Sequence, residues 1–140
     1  MNYFDDAALA YLSIHGDTFA LDEQTFTSLR VMLVGLVPIR KRFAGGELAC
    51  YAPDAQRSNS GIYCAFCPHR RECQRKLRLQ LLYLDAGEPR PVLFELNRSS
   101  FGTLRALVTT RGLEQLQTEI LSMRLIYDEL GHRRIEFSLA

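Results

Sequence analysis

The sequence predicts a mainly β domain: five strands wound as a small Greek-key barrel, one helix between strands three and four, and a four-cysteine metal-binding insert between strands one and two. Three observations carry that prediction. Period-two runs recur between turn formers across positions 28–140, and only one stretch has helical spacing. All four cysteines fall between the first two of those runs. With 140 residues and 47% apolar content, the chain has enough for one domain with a real core and too little for two.

Residues 1–27 read as an acidic N-terminal arm, irregular or partly helical, with a turn at Gly16-Asp17. They hold Asp5, Asp6, Asp17, Asp22 and Glu23 and no Lys or Arg. Residues 28–43, SLRVMLVGLVPIRKRF, form the first strand, rich in Val, Leu and Ile and bent at Gly35. The insert, 44–74, is punctuated by Gly45-Gly46, Pro53-Asp54, Ser58-Asn59-Ser60-Gly61 and Pro68. A segment of that length without its own regular structure needs something to hold it, and a metal can do so. In RKLRLQLLYL, Leu77, Leu79, Leu81 and Tyr83 share one face of a half-buried second strand, with Lys76 and Arg78 on the other. Asp85-Ala86-Gly87-Glu88 turns it into a third strand over 91–96.

Asn97, Ser99 or Ser100 then caps a helix of about three turns, whose inner face is Phe101, Leu104 and Val108 and whose end is Gly112. Alternation over Gln117–Tyr127 gives the fourth strand, and Gly131 turns the chain into RRIEFSL, with Ile135, Phe137 and Leu139 inward. Five strands with a helix between the third and fourth is the arrangement of the OB-fold, whose loops and second and third strands bind oligonucleotides. A sandwich would not require the helix there, and a ferredoxin-like fold would need two.

Cys50, Cys64, Cys67 and Cys73 are spaced C-x13-C-x2-C-x5-C. Cysteines two residues apart can place both thiolates on one ion, and two flanking cysteines complete a tetrahedral sulfur shell suited to zinc. An iron–sulfur cluster is the alternative, since cysteines at related spacings also hold clusters. Disulfides fit less well, because MNYFDDAALA shows no basic stretch followed by an apolar run, so the expected compartment is the reducing cytoplasm. His69 is a substitute ligand within reach of the same window, while His15 and His132 belong to no motif and are expected at the surface.

A formal net charge of +1 conceals a strong asymmetry. Positions 38–78 carry nine basic residues against three acids, so the basic zone coincides with the cysteine loop. Arg40, Lys41, Arg42 and Phe43 leave the first strand. Tyr51, Arg57, Tyr63, Phe66, Arg70 and Arg71 lie in the loop, and Arg75, Lys76 and Arg78 enter the second strand. Cations along a phosphate track, with aromatic faces for the bases, are what single-stranded nucleic acid requires. Each has a plainer reading too: Tyr63 and Phe66 as apolar cover for the metal, and Arg70-Arg71 as a solvated face.

Cys50, Cys64, Cys67-Pro68 and Cys73, then 75–84, then Leu96-Asn97-Arg98-Ser99-Ser100 and Arg111-Gly112-Leu113, carry a resemblance. Over 28–140 the chain resembles the zinc-containing OB-fold single-stranded DNA-binding proteins. The likeness is to the replication protein A large-subunit domain with a zinc ribbon between its first two strands, and to small phage and prophage proteins with a C…C-x2-C-P…C segment. The resemblance implies binding of single-stranded DNA or RNA around a structural zinc ion. Ribbons of that family have two close cysteine pairs, whereas thirteen residues separate the first two cysteines here, so a looser metal-tied loop is expected.

No G-x-S-x-G, Walker, H-E-x-x-H or dinucleotide motif is present, and four cysteines would close a metal shell, so the expectation is a non-enzymatic protein. The alternatives are a module docking on a replication or transcription protein through its acidic arm, and an iron–sulfur protein of DNA processing. Apolar runs are broken by Arg or Gly well short of a membrane span, so no membrane partner is expected. Monomer and dimer are equally compatible with the sequence.

Overall fold

A computed structural model describes residues 9–140. Asp5 and Asp6, part of the acidic segment, lie outside the described residues. The chain is mainly β. Strands run Ala10–Tyr11 (β1), Ser13–His15 (β2), Thr18–Leu21 (β3), Gln24–Phe26 (β4), Ser28–Ala44 (β5), Glu47–Ala52 (β6), Gln74–Tyr83 (β7), Arg90–Asn97 (β8), Leu121–Tyr127 (β9) and Arg133–Leu139 (β10). The main helix is Phe101–Arg111 (α1), followed by one short turn, Leu113–Leu116 (α2).

β5 organises the molecule, because its 17 residues serve three partners. Along one edge it pairs antiparallel with β7 from Val31 to Lys41. The other edge pairs with β9 over Ser28–Val31 and with β6 over Arg40–Ala44. One strand can do this only by changing direction, and a bulge between Leu33 and Gly35 supplies the bend. Gly35 leaves room there for the Gln80 side chain: a Cβ would stand 2.6 Å from its amide oxygen, which would have to move aside. The Val34 carbonyl at the bulge accepts from the Gln117 amide at 2.6 Å, which ties the α2 corner to the bend.

The main sheet follows the order β1-β8-β7-β5-β9-β10, with β6 hydrogen-bonded to β5. β8 and β10 are not joined along this path, so no closed barrel is formed by strand pairing among the described residues. The outer edge of β10 is met instead by α1 and the turn before it. Ser100 Oγ accepts from the Ile135 amide at 2.9 Å and Thr103 Oγ1 from the Phe137 amide at 2.9 Å. Two donors that a closing strand would have taken are thus satisfied by hydroxyls.

The N-terminal segment departs from expectation. Rather than an irregular or partly helical arm, residues 10–26 form strands: β1 lies parallel on β8, and β2, β3 and β4 make a three-stranded sheet turned at Gly16-Asp17. Leu12, Phe19 and Leu21 belong to the same buried cluster as Val31, Leu81 and Phe137. Phe19 meets Phe94 edge-on at 6.1 Å, and Phe26 lies 5.5 Å from Tyr83. Strands of two to four residues give too few repeats for a period to be read, and burial in the tertiary core overrides the local acidic character.

Two smaller differences have the same kind of cause. Gln117–Ile120 belongs to a turn, since Gln117 and Thr118 amides bond back to Leu113 and Gln115, and the strand begins only at Leu121. Leu139 is exposed because β10 runs past the edge of the core. Leu104 is buried, with Phe101 and Val108 packed against the core, as their spacing predicts. No helix among the described residues is long and apolar enough to cross a membrane.

Candidate metal cavity and nucleic-acid interface

The insert is more ordered than its turn formers suggest. Gly45 and Gly46, both at positive φ, make the tight hairpin that returns β6 along β5. This pairing sets Cys50 opposite Arg42. Beyond β6 the Asp54 carboxylate accepts from the Gln56 and Arg57 amides at 2.8 and 2.9 Å. Those bonds, Arg57 first, hold its carboxyl below the usual carboxylate range. Single 3-10 turns at Cys64–Phe66 and Arg70–Glu72 then place Cys64, Cys67 and Cys73 around the chain reversal at Pro68.

All four cysteines border one cavity of about 250 Å³, closed on its other sides by Arg40, Arg42 and neighbouring loop residues. None is in a disulfide. Burial, and then the neighbouring Cys50 and Cys67, push the Cys73 thiol up, with Arg40 opposing. Its Sγ lies 3.6 Å from the His69 carbonyl oxygen. Among the described residues, no three His, Cys, Asp or Glu side chains are gathered closely enough to hold a metal ion as they stand. The donor set nevertheless suits zinc: four soft thiols, one from β6 and three from the two 3-10 turns, border one space. His69 borders that space too, but its ring is half exposed and sits 3.3 Å from a Glu72 carboxylate oxygen.

The basic residues divide into paired and unpaired sets. Lys41 and Arg78 flank Glu95 at 2.7 and 3.5 Å, and both cations also lie over the Tyr51 ring, at 5.6 and 5.4 Å. Tyr51 is therefore engaged by two cations and half-buried, its hydroxyl without a hydrogen-bond partner, so its ring is not an open platform for a base. Arg42 reaches Glu72 at 3.9 Å. By contrast Arg40, Arg57, Arg70, Arg71, Arg75 and Lys76 form no ion pair among the described residues.

The aromatic residues divide in the same way. Phe66 is 84% exposed and Tyr63 56%, so neither serves as apolar cover for the cysteines. Arg57 stacks over Tyr63 at 5.4 Å. Phe43, at the tip of the β5–β6 hairpin, is also exposed. Arg70 and Arg71 are both at the surface, on the turn that ends at Cys73.

Two features of this face have no signal in the sequence. Arg98 follows β8 and comes beside Arg40 and Arg75 because β8 is antiparallel to β7. Glu95, spaced like any outward strand residue, neutralises two of the cations expected to be free. Comparison with protein-family models, with curated proteins and with solved structures finds no significant match.

Proposed function

We propose that this chain is a non-enzymatic single-stranded nucleic-acid-binding protein on an OB-like scaffold, with a structural zinc ion held by Cys50, Cys64, Cys67 and Cys73. The observation that carries the reading is the contrast within the basic face. Cations near Glu95 are neutralised internally, whereas Arg40, Arg57, Arg70, Arg71, Arg75 and Lys76 have no ion pair among the described residues, and the same loop exposes Phe66 and Tyr63. Unpaired guanidinium groups attract phosphates, and exposed rings offer stacking surfaces of about 1–3 kcal/mol per base.

When bound, zinc would tie the loop's turns together without entering a reaction. Four thiolates around a divalent cation leave a double negative charge, and Arg40 and Arg42 on the cavity wall offset it. An iron–sulfur cluster would use the same four sulfurs to the same structural end. The scaffold reading draws on β5, β7 and β8 followed by α1 and then β9 and β10, with the cysteine insert between β5 and β7. Docking on a replication or transcription protein through a free acidic arm has less support, because residues 10–26 are folded into strands.

The test is a low-salt titration of a labelled dT oligonucleotide, with a duplex of equal length as control. Saturable binding of the single strand in preference to the duplex is expected, and no binding at low salt rejects the function. Elemental analysis of the purified protein is expected to find one zinc per chain. Iron with visible charge-transfer absorbance would replace zinc by a cluster and leave the loop's role standing.

A further inference from the structure

We propose that the cleft where the cysteine loop meets the ends of β7 and β8 is a phosphomonoester site. Resting on the single-strand reading above, its ligand is the phosphorylated end of the strand. The cleft has a volume of about 730 Å³, room for a terminal nucleotide, and its walls carry Arg40, Arg70, Arg71, Arg75 and Arg98. Gln74 and Asn97 contribute neutral amides, and no Asp or Glu lines it.

Five arginines lining one cleft repel each other, and a protein ordinarily relieves this with carboxylates. That happens for several arginines elsewhere: Arg30 has Asp85, Arg90 has Asp22, Arg111 has Glu119 and Arg124 has Glu136. Here none of the five has an ion pair among the described residues. Arg40 makes the point most sharply. It is only 8% exposed and its buried Nε has no hydrogen-bond partner. It lines the cysteine cavity as well as the cleft, so a metal tetrathiolate would draw on its charge and leave Arg70, Arg71, Arg75 and Arg98 to the ligand.

The charge count selects the ligand. An internal phosphodiester carries one charge, and a strand crossing a surface needs roughly one cation per phosphate. A terminal phosphomonoester carries about 1.5 to 2 negative charges at neutral pH and has three acceptor oxygens. Arginines clustered along one cleft, with no carboxylate among them, match that more highly charged group. A free nucleotide offers the same chemistry, so the two sources must be separated by experiment.

The experiment compares one oligonucleotide sequence in three forms, 5′-hydroxyl, 5′-phosphate and 3′-phosphate, with a nucleoside monophosphate titrated separately. The 5′- or the 3′-phosphorylated form is expected to bind about tenfold tighter than the hydroxyl form, the worth of one charge-assisted hydrogen bond. Arg98→Ala, on an exposed turn at the cleft, is expected to erase that increment and to weaken the phosphorylated form more than the hydroxyl form. Equal affinity of all three forms, without monophosphate binding, overturns the proposal. Monophosphate binding lost in Arg98→Ala, with no oligonucleotide binding at all, would uphold a phosphomonoester site for free nucleotides while rejecting the single-strand reading.

Discussion

At the scale of single residues, exposure separates the rings that can work from those that cannot. Phe66 is exposed and Tyr51 is covered by two cations, although both were equal candidates in the sequence. Phe66→Ala should therefore weaken single-strand binding by about 1–3 kcal/mol at unchanged melting temperature. Tyr51→Ala should instead lower stability, by removing the ring on which Lys41 and Arg78 rest. Paired oligonucleotide titrations and thermal melts check both. Asp54 gives a second prediction. Its folded pKa is depressed, so its bonds to Arg57 and Gln56 are fully present above the unfolded value and lost as pH falls through the lower folded one. The amide shifts of Gln56 and Arg57 should hold steady from neutrality down to about pH 4 and move together below it.

Among the elements, the cysteine loop and the β10 edge are held by different means. Hydroxyls of Ser100 and Thr103 satisfy the Ile135 and Phe137 amides, so Ser100→Ala and Thr103→Val should each cost about 1–3 kcal/mol in denaturant melts. The cysteine loop should answer to metal rather than to packing. A chelator is expected to speed amide exchange in residues 53–73 while β5, β7 and β8 remain protected. What the sequence revealed of these elements follows from physical scale. β7 shows many repeats of one period, β5 is a long run of Val, Leu and Ile, and Phe101, Leu104 and Val108 of α1 stand at helical spacing, so all three are legible. β1 to β4 are too short for a period, and β6 is hidden among turn formers because its pairing with β5 is a tertiary fact. The cysteines were legible as one cluster, since their window is local. Arg98 was not, because only the antiparallel return of β8 brings it to the cleft.

The whole molecule is one core with an uneven charge distribution around it. Phe19 lies in the same buried cluster as Phe94 and Phe137, so the N-terminal strands are part of the fold and not an appendage. Phe19→Ala should cost about 3–5 kcal/mol, and a chain starting at residue 28 should melt far lower than the full chain. Elsewhere carboxylates match most cations, and the surplus gathers beside the cysteines. That surplus makes single-strand binding the central claim, and its signature is ionic strength. The decisive measurement is the affinity for a dT oligonucleotide across a salt series, for wild type and for Arg70→Ala/Arg71→Ala. Wild-type affinity should fall linearly on a log–log plot, and loss of two phosphate contacts should weaken binding and flatten the slope by about 1.4. Equal affinity and equal slope in the two proteins, or no binding at low salt, would contradict the account.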